Sequence, residues 1–211
     1  MMTGTDYFFL IDSSMGTTDA AFKYMIEFVL RGILAVYQYY PNARAAIINY
    51  GGFTQVISPL VSTTKFNTFS SVMGGMQMVG GVRRIDLALR KTYDDLFRES
   101  GAERGKHVVL LTSGKNGPTG IGSFPAMGAA LQKSGAVVTV LGVGGDVDMD
   151  ELKPIKVPAN AGNMLSANEA SLISYQVPFV FKDAAGIRGR FLKVISTMIL
   201  QIYFTGIDSL R

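Results

Sequence analysis

The chain has no cysteine, no tryptophan and a single histidine, and only 17% of its 211 residues are charged. Without cysteine, disulfides and thiolate metal sites are both excluded, and redox chemistry leaves no mark of the compartment. The lone histidine, His107, heads an apolar run with no neighbouring base or nucleophile, so it reads as structural and not catalytic. No apolar run is long enough for a bilayer. The most apolar tail segment, residues 191–204, is broken by Lys193 and carries Ser196, Thr197 and Gln201, so no membrane insertion is expected. The first residues lack a basic stretch followed by an apolar one, so no signal peptide is expected within this chain. Internal repeats and dividing linkers are also lacking, which predicts one domain over residues 1–211.

Hydrophobic residues make up 48% of the chain, which is ample for a core and argues against disorder. The net charge of +4 and pI near 9.3 come from Lys and Arg scattered along the sequence, so nucleic acid is not implied as a partner. Short apolar runs alternate with helical periodicity. Residues 6–11 read as a buried strand, followed by the polar loop Asp12-Ser13-Ser14-Met15-Gly16 and a helix over about 20–40 that Thr17, Thr18 or Asp19 caps. Two strands at 44–50 and 53–60 flank Gly51-Gly52, a hairpin signal attributed to positive φ, and Pro59 marks the second as an edge. A short helix within 65–78 and a helix over 85–98 follow. A strand at 106–112, a helix at 124–133, a strand at 136–143, a short helix at 148–154, a strand at 163–165 and a closing helix at 184–204 complete the pattern. Strands alternating with helices predict a doubly wound, mostly parallel α/β sheet with one antiparallel edge strand and helices on both faces.

Catalytic signatures are missing. There is no nucleophile elbow and no Walker loop, and Gly142-Val143-Gly144-Gly145 lacks the spacing and long helix of a dinucleotide fingerprint. Gly114-Lys115-Asn116-Gly117 reads as a turn. The methionines Met73, Met76 and Met78 suit either core filling or an adaptable contact surface.

The strand ending in Asp-Ser-Ser-Met-Gly, the hairpin, Gly80-Gly81 ahead of Ala88-Leu89-Arg90, the run from His107 to Lys115 and the run Gly135 to Gly144 together resemble the von Willebrand factor A-type domain over nearly the whole chain. The local texture is closest to extracellular-matrix members, collagen VI, matrilins and invertebrate matrix proteins among them. The resemblance implies a Rossmann-like sheet with a ligand site at the carboxyl ends of its strands, extracellular secretion, and a matrix or other protein ligand without catalysis. An intracellular scaffold or accessory subunit of a larger complex is the alternative.

Many members of that family hold Mg²⁺ or Mn²⁺ at a metal-ion-dependent adhesion site, through Asp-x-Ser-x-Ser, a Thr and a second Asp. Here Asp12 and Ser14 match, but Gly16 replaces the second Ser, Val82 or Arg83 the Thr, and Ser113 the second Asp. One carboxylate and two hydroxyls make a poor set for a hard divalent cation, so a degenerate site is expected, with weak metal binding or none through Asp12, Ser14 and Ser113. Asp86 is the candidate substitute carboxylate. Arg83 or Arg84 is placed to reach the vacated position and pair with Asp12. The bland alternative for Asp12 is a turn cap, and for Ser14 and Ser113 loop hydroxyls bonded to backbone. The ligand-binding rim is thus expected at Asp12, Ser14, Gly16, Val82, Arg83, Arg84 and Ser113. Arg83 and Arg84, and separately Arg188, Arg190 and Lys193, read first as solvated helix faces and second as sites that would attract acidic glycans.

Overall fold

The structure, a computed structural model, describes residues 4–40, 42–117, 123–155 and 164–167. The predicted helix over 184–204, with Arg188, Arg190 and Lys193, lies outside them. Among the described residues six strands form one sheet: β1 (Thr5–Asp12), β2 (Arg44–Tyr50), β3 (Thr54–Ser62), β4 (Gly105–Thr112), β5 (Val137–Val143) and β6 (Met164–Ala167). Their spatial order is β3-β2-β1-β4-β5-β6, parallel throughout except for the β2–β3 pair at one edge. Central β1 is covered on both faces, which explains why Tyr7-Phe8-Phe9-Leu10-Ile11 is continuously apolar instead of alternating.

The pleat sends alternate residues of each strand into two separate cores. Tyr7, Phe9, Ile11, Ile47, Val109 and Leu111 pack under α1 (Asp19–Tyr39) and α2 (Phe66–Gly74). Phe8, Leu10, Ile48, Val108, Leu110 and Val140 pack under α3 (Ile85–Lys91), α5 (Ser123–Lys133) and α6 (Met149–Leu152). Of the three candidate caps, Thr18 starts α1, its hydroxyl accepting from the Ala21 N–H at 3.1 Å. The buried stripe of α1 runs through Phe22, Met25, Val29, Ile33 and Val36, and Ile26 is only half-buried.

The helix expected over 85–98 contains a π-helical stretch at Thr92–Leu96 before it ends as α4 (Phe97–Ser100). The wider turn explains an ambiguity of the sequence pattern: Leu96 and Phe97 are both buried, where a regular helix would favour one of them. Pro59 lies inside β3, and it is tolerated because one extra residue on that strand shifts the register between Ile47↔Ser58 and Ala45↔Val61.

The hairpin glycines need correction. Gly51 and Gly52 are not among the glycines with positive φ, whereas Gly80 and Gly81 are, at 66° and 70°. The pair at 51–52 is required by close approach: a Cβ on Gly51 would sit 2.4 Å from the Gly80 carbonyl oxygen, and one on Gly52 3.2 Å from the Gly81 Cα.

His107 is buried on β4, its Nε2 2.9 Å from the Thr139 hydroxyl, and burial pushes its pKa down to about 4. The unfolded chain therefore binds a proton near pH 6.5 that the folded chain refuses until about pH 4, so stability is lost as pH falls through that interval. Urea midpoints measured from pH 7 to pH 4 should fall by an amount equivalent to about 3 kcal/mol from this group. His107→Gln should flatten that limb, and an unchanged slope would refute the assignment.

Candidate functional site

In sequence order the chain runs from β1 outward to β3, then returns to β4 on the other side of β1. The connections diverge between β1 and β4, and open α/β sheets place their ligand crevice at the carboxyl ends of such a strand pair. The register Ile11↔Leu111 sets Asp12 beside Thr112 and Ser113 at that point.

Asp12 is fully buried and saturated. Its Oδ1 accepts from the Ser14 N–H at 3.0 Å and the Ser14 hydroxyl at 2.7 Å. Its Oδ2 accepts from Arg83 Nε at 2.5 Å, the Ser113 N–H at 2.9 Å and the Ser113 hydroxyl at 3.0 Å. With the Thr112 hydroxyl, 3.4 Å from Oδ2, six donors on two oxygens fill the roughly four lone-pair positions a carboxylate offers. Burial acts to raise the Asp12 carboxyl, but the Arg83 charge and the hydrogen bonds from Ser113 and Ser14 hold it below its ordinary value.

Of the two arginines, Arg83 reaches Asp12. Its Nη1 donates to the Lys115 carbonyl at 3.1 Å and its Nη2 to the Ser113 hydroxyl at 3.0 Å, so one guanidinium ties three loops together. Since the Ser113 proton goes to Asp12, the Thr17 hydroxyl, 2.8 Å away, donates to Ser113. The glycines make room for this arrangement. A Cβ on Gly114 would lie 2.4 Å from Arg83 Nη1, and one on Gly16 3.2 Å from Nη2. A serine at position 16 would crowd the guanidinium, so Gly16 and Arg83 are sterically linked.

Arg84 turns the other way and clasps Asp86 with two bonds, 2.9 and 2.7 Å. Burial raises the Asp86 carboxyl, and Arg84 brings it below its usual range. Val82 stands exposed on the rim. Among the described residues no group of three or more His, Cys, Asp and Glu side chains gathers to hold a metal.

Sequence reasoning missed three supporting residues. The Asn116 side chain accepts from the Ile85 N–H at 2.7 Å, capping α3 from a different loop, and the Asn116 N–H donates to Glu151 at 3.1 Å. Tyr50 donates its buried hydroxyl to the Leu111 carbonyl at 2.8 Å; burial, then the Asp12 charge, raise its pKa and keep it a donor. Thr17, considered only as a helix cap, supplies a hydroxyl to the site instead. A cap bridging 31 residues leaves no local pattern, so no sequence signal pointed to Asn116.

The profile of the von Willebrand factor type A domain matches residues 6–177. The chain belongs to that family. The mouse collagen alpha-4(VI) chain is 29% identical over 160 residues, and mouse von Willebrand factor A domain-containing protein 2 is 26% identical over 176. These alignments take in 72% and 82% of this chain but only 7% and 21% of those proteins.

The proximal thread matrix protein 1 of the mussel byssus shares the fold with a TM-score of 0.75 at 19% identity, over 87% of this chain and 48% of its own. One of its structures is described with a zinc-occupied metal-ion-dependent adhesion site motif. A von Willebrand factor type A domain from Catenulispora acidiphila has a TM-score of 0.72 at 16% identity, over 82% of this chain and 41% of its own. Domains of this family are usually non-catalytic modules that bind protein ligands. No helix among the described residues is long and apolar enough to cross a membrane.

Proposed function

We propose that this chain is a non-catalytic, secreted protein-interaction module of an extracellular matrix assembly, docking through the rim around Asp12 with a degenerate metal site. The observation that carries the metal-free reading is the Arg83 guanidinium seated against Asp12. The residues present do not fit a divalent ion. The single carboxylate has no lone pair left for it, and a fixed cation already stands at 2.5 Å. Matrix membership rests on the collagen VI and byssus relatives. A protein ligand is favoured over a sulfated glycan because Arg83 and Arg84 are already held by carboxylates of this chain.

Millimolar Mg²⁺, Mn²⁺ or Ca²⁺ should therefore leave the thermal midpoint where it stands in EDTA. An ion at about a hundredfold excess over its Kd would add about 2.7 kcal/mol, which calorimetry reads easily. Adsorption of the chain to detergent-extracted tissue matrix should likewise be equal in EDTA and in Mg²⁺ and should fall in Val82→Glu. A midpoint raised by metal, or adsorption that requires it, would overturn the reading.

A further inference from the structure

Large apolar side chains are exposed at four described positions, Met15, Phe53, Val82 and Tyr37, and the first three rise from three loops at the carboxyl end of the sheet. Those loops are one platform. Met15 N–H donates to the Gly81 carbonyl at 3.0 Å, Gly52 N–H to the Gly80 carbonyl at 2.7 Å, and Gly80 N–H to the Ser13 carbonyl at 2.9 Å. Val82 is seated on the loop after β4, where a Cβ on Gly117 would lie 2.1 Å from a Val82 methyl. Single exposed apolar residues are ordinary, but three on a bonded platform, 80%, 55% and 52% exposed, form a preorganised contact surface.

Beside this platform, across Gly16 and Arg83, opens a cleft of about 740 Å³ whose walls include Lys115, Asp146, Asp148 and Asp150. The Arg83 charge is cancelled by Asp12. Lys115 faces Asp148 at 3.4 Å, and Lys153 pairs with Asp150 at 2.6 Å, which among the described residues leaves the Asp146 charge in excess. The cleft is thus acidic on a chain whose net charge is +4. A carboxylate entering it meets like charge, and an ammonium or guanidinium meets its complement.

We infer that the rim takes a protein segment carrying an aliphatic or aromatic side chain, which rests on Met15, Phe53 and Val82, next to a Lys or Arg that enters the acidic cleft. This rests on the reading of the rim as the docking face and assigns the partner's chemistry.

The test is selection of a random twelve-residue phage-displayed peptide library on the immobilised chain in EDTA. Recovered peptides should be enriched in apolar residues together with Lys or Arg, and depleted of Asp and Glu. Their affinity should fall about tenfold or more for the triple variant Met15→Ser/Phe53→Ser/Val82→Ser, and severalfold for Asp146→Asn/Asp148→Asn. Tyr37→Ser should leave it unchanged, and urea midpoints confirm that each variant is folded. Acidic peptides lost in the triple variant would overturn the charge assignment and leave the rim intact. Peptides binding the triple variant as well as the wild type would overturn both readings. A library without enrichment, or sedimentation showing self-association abolished by the triple variant, would overturn the inference, the latter by assigning the platform to a second copy of this chain.

Discussion

Arg83→Ala is expected to destabilise the fold by about 3–5 kcal/mol, the usual cost of leaving one charge of a buried pair without its partner. Asp12 has no solvent exposure, and the Arg83 side chain retains only 12% of its own. The loss of the guanidinium leaves the carboxylate to Ser14, Ser113 and Thr112, and it also removes the bonds to the Ser113 hydroxyl and the Lys115 carbonyl. Arg83→Lys should recover only part, since one ammonium cannot span Asp12, Ser113 and Lys115 as a planar fork does. Arg83→Met combined with Asp12→Asn should be milder than Arg83→Ala alone, because no charge is then stranded. Urea unfolding of the four proteins measures this, and a loss below about 1 kcal/mol in Arg83→Ala would mean that water reaches Asp12 freely.

The second large effect lies at the opposite end of β1. Asp6 is fully buried and receives Arg44 Nε at 3.0 Å and Nη2 at 2.5 Å, with Arg104 Nε at 2.7 Å. Asp6→Ala leaves two guanidinium groups facing one another without their counter-ion, and a loss of about 3–5 kcal/mol is expected. Arg44→Ala should cost less, because Arg104 still covers Asp6 and the Arg44 side chain is 31% exposed.

Burial alone would raise the Asp6 carboxyl, but Arg44, Arg104 and Ser100 bring it below its ordinary value. A depressed carboxyl contributes stability that is fully present above the unfolded pKa near 3.8 and is lost as pH falls through the folded one. Acid unfolding should therefore show two limbs, one from His107 between about pH 6.5 and 4 and a lower one from Asp6 and Asp12. Asp6→Asn should flatten only the lower limb. If both limbs persist in Asp6→Asn and His107→Gln, the charges that govern acid stability lie elsewhere.

The parallel sheet was legible because its strands are buried on both faces, which produces the unbroken apolar runs at residues 6–11 and 106–112. Helix α1 was legible because burial of one face imposes a spacing of three and four residues, although Met25 and not Ile26 lies on the inner stripe. The π-helical stretch was not, since one wider turn leaves no distinct mark on a pattern of three- and four-residue spacing. Gly51-Gly52 gave the hairpin correctly for a reason that proved different, because a sequence does not distinguish a glycine needed for its φ from one needed for close approach.

By itself the sequence determined the α/β class, the antiparallel edge and the family. Only the tertiary structure decided which arginine meets Asp12, that Gly114 and Gly16 leave space for it, that Asn116 caps α3, and that Met15, Phe53 and Val82 share one platform. The division has a physical cause. Periodicity and local motifs report whether a side chain faces a core, which is a property of one element. Ion pairs, caps and contact surfaces join loops separated by tens of residues, and the winding of the sheet fixes which loops meet.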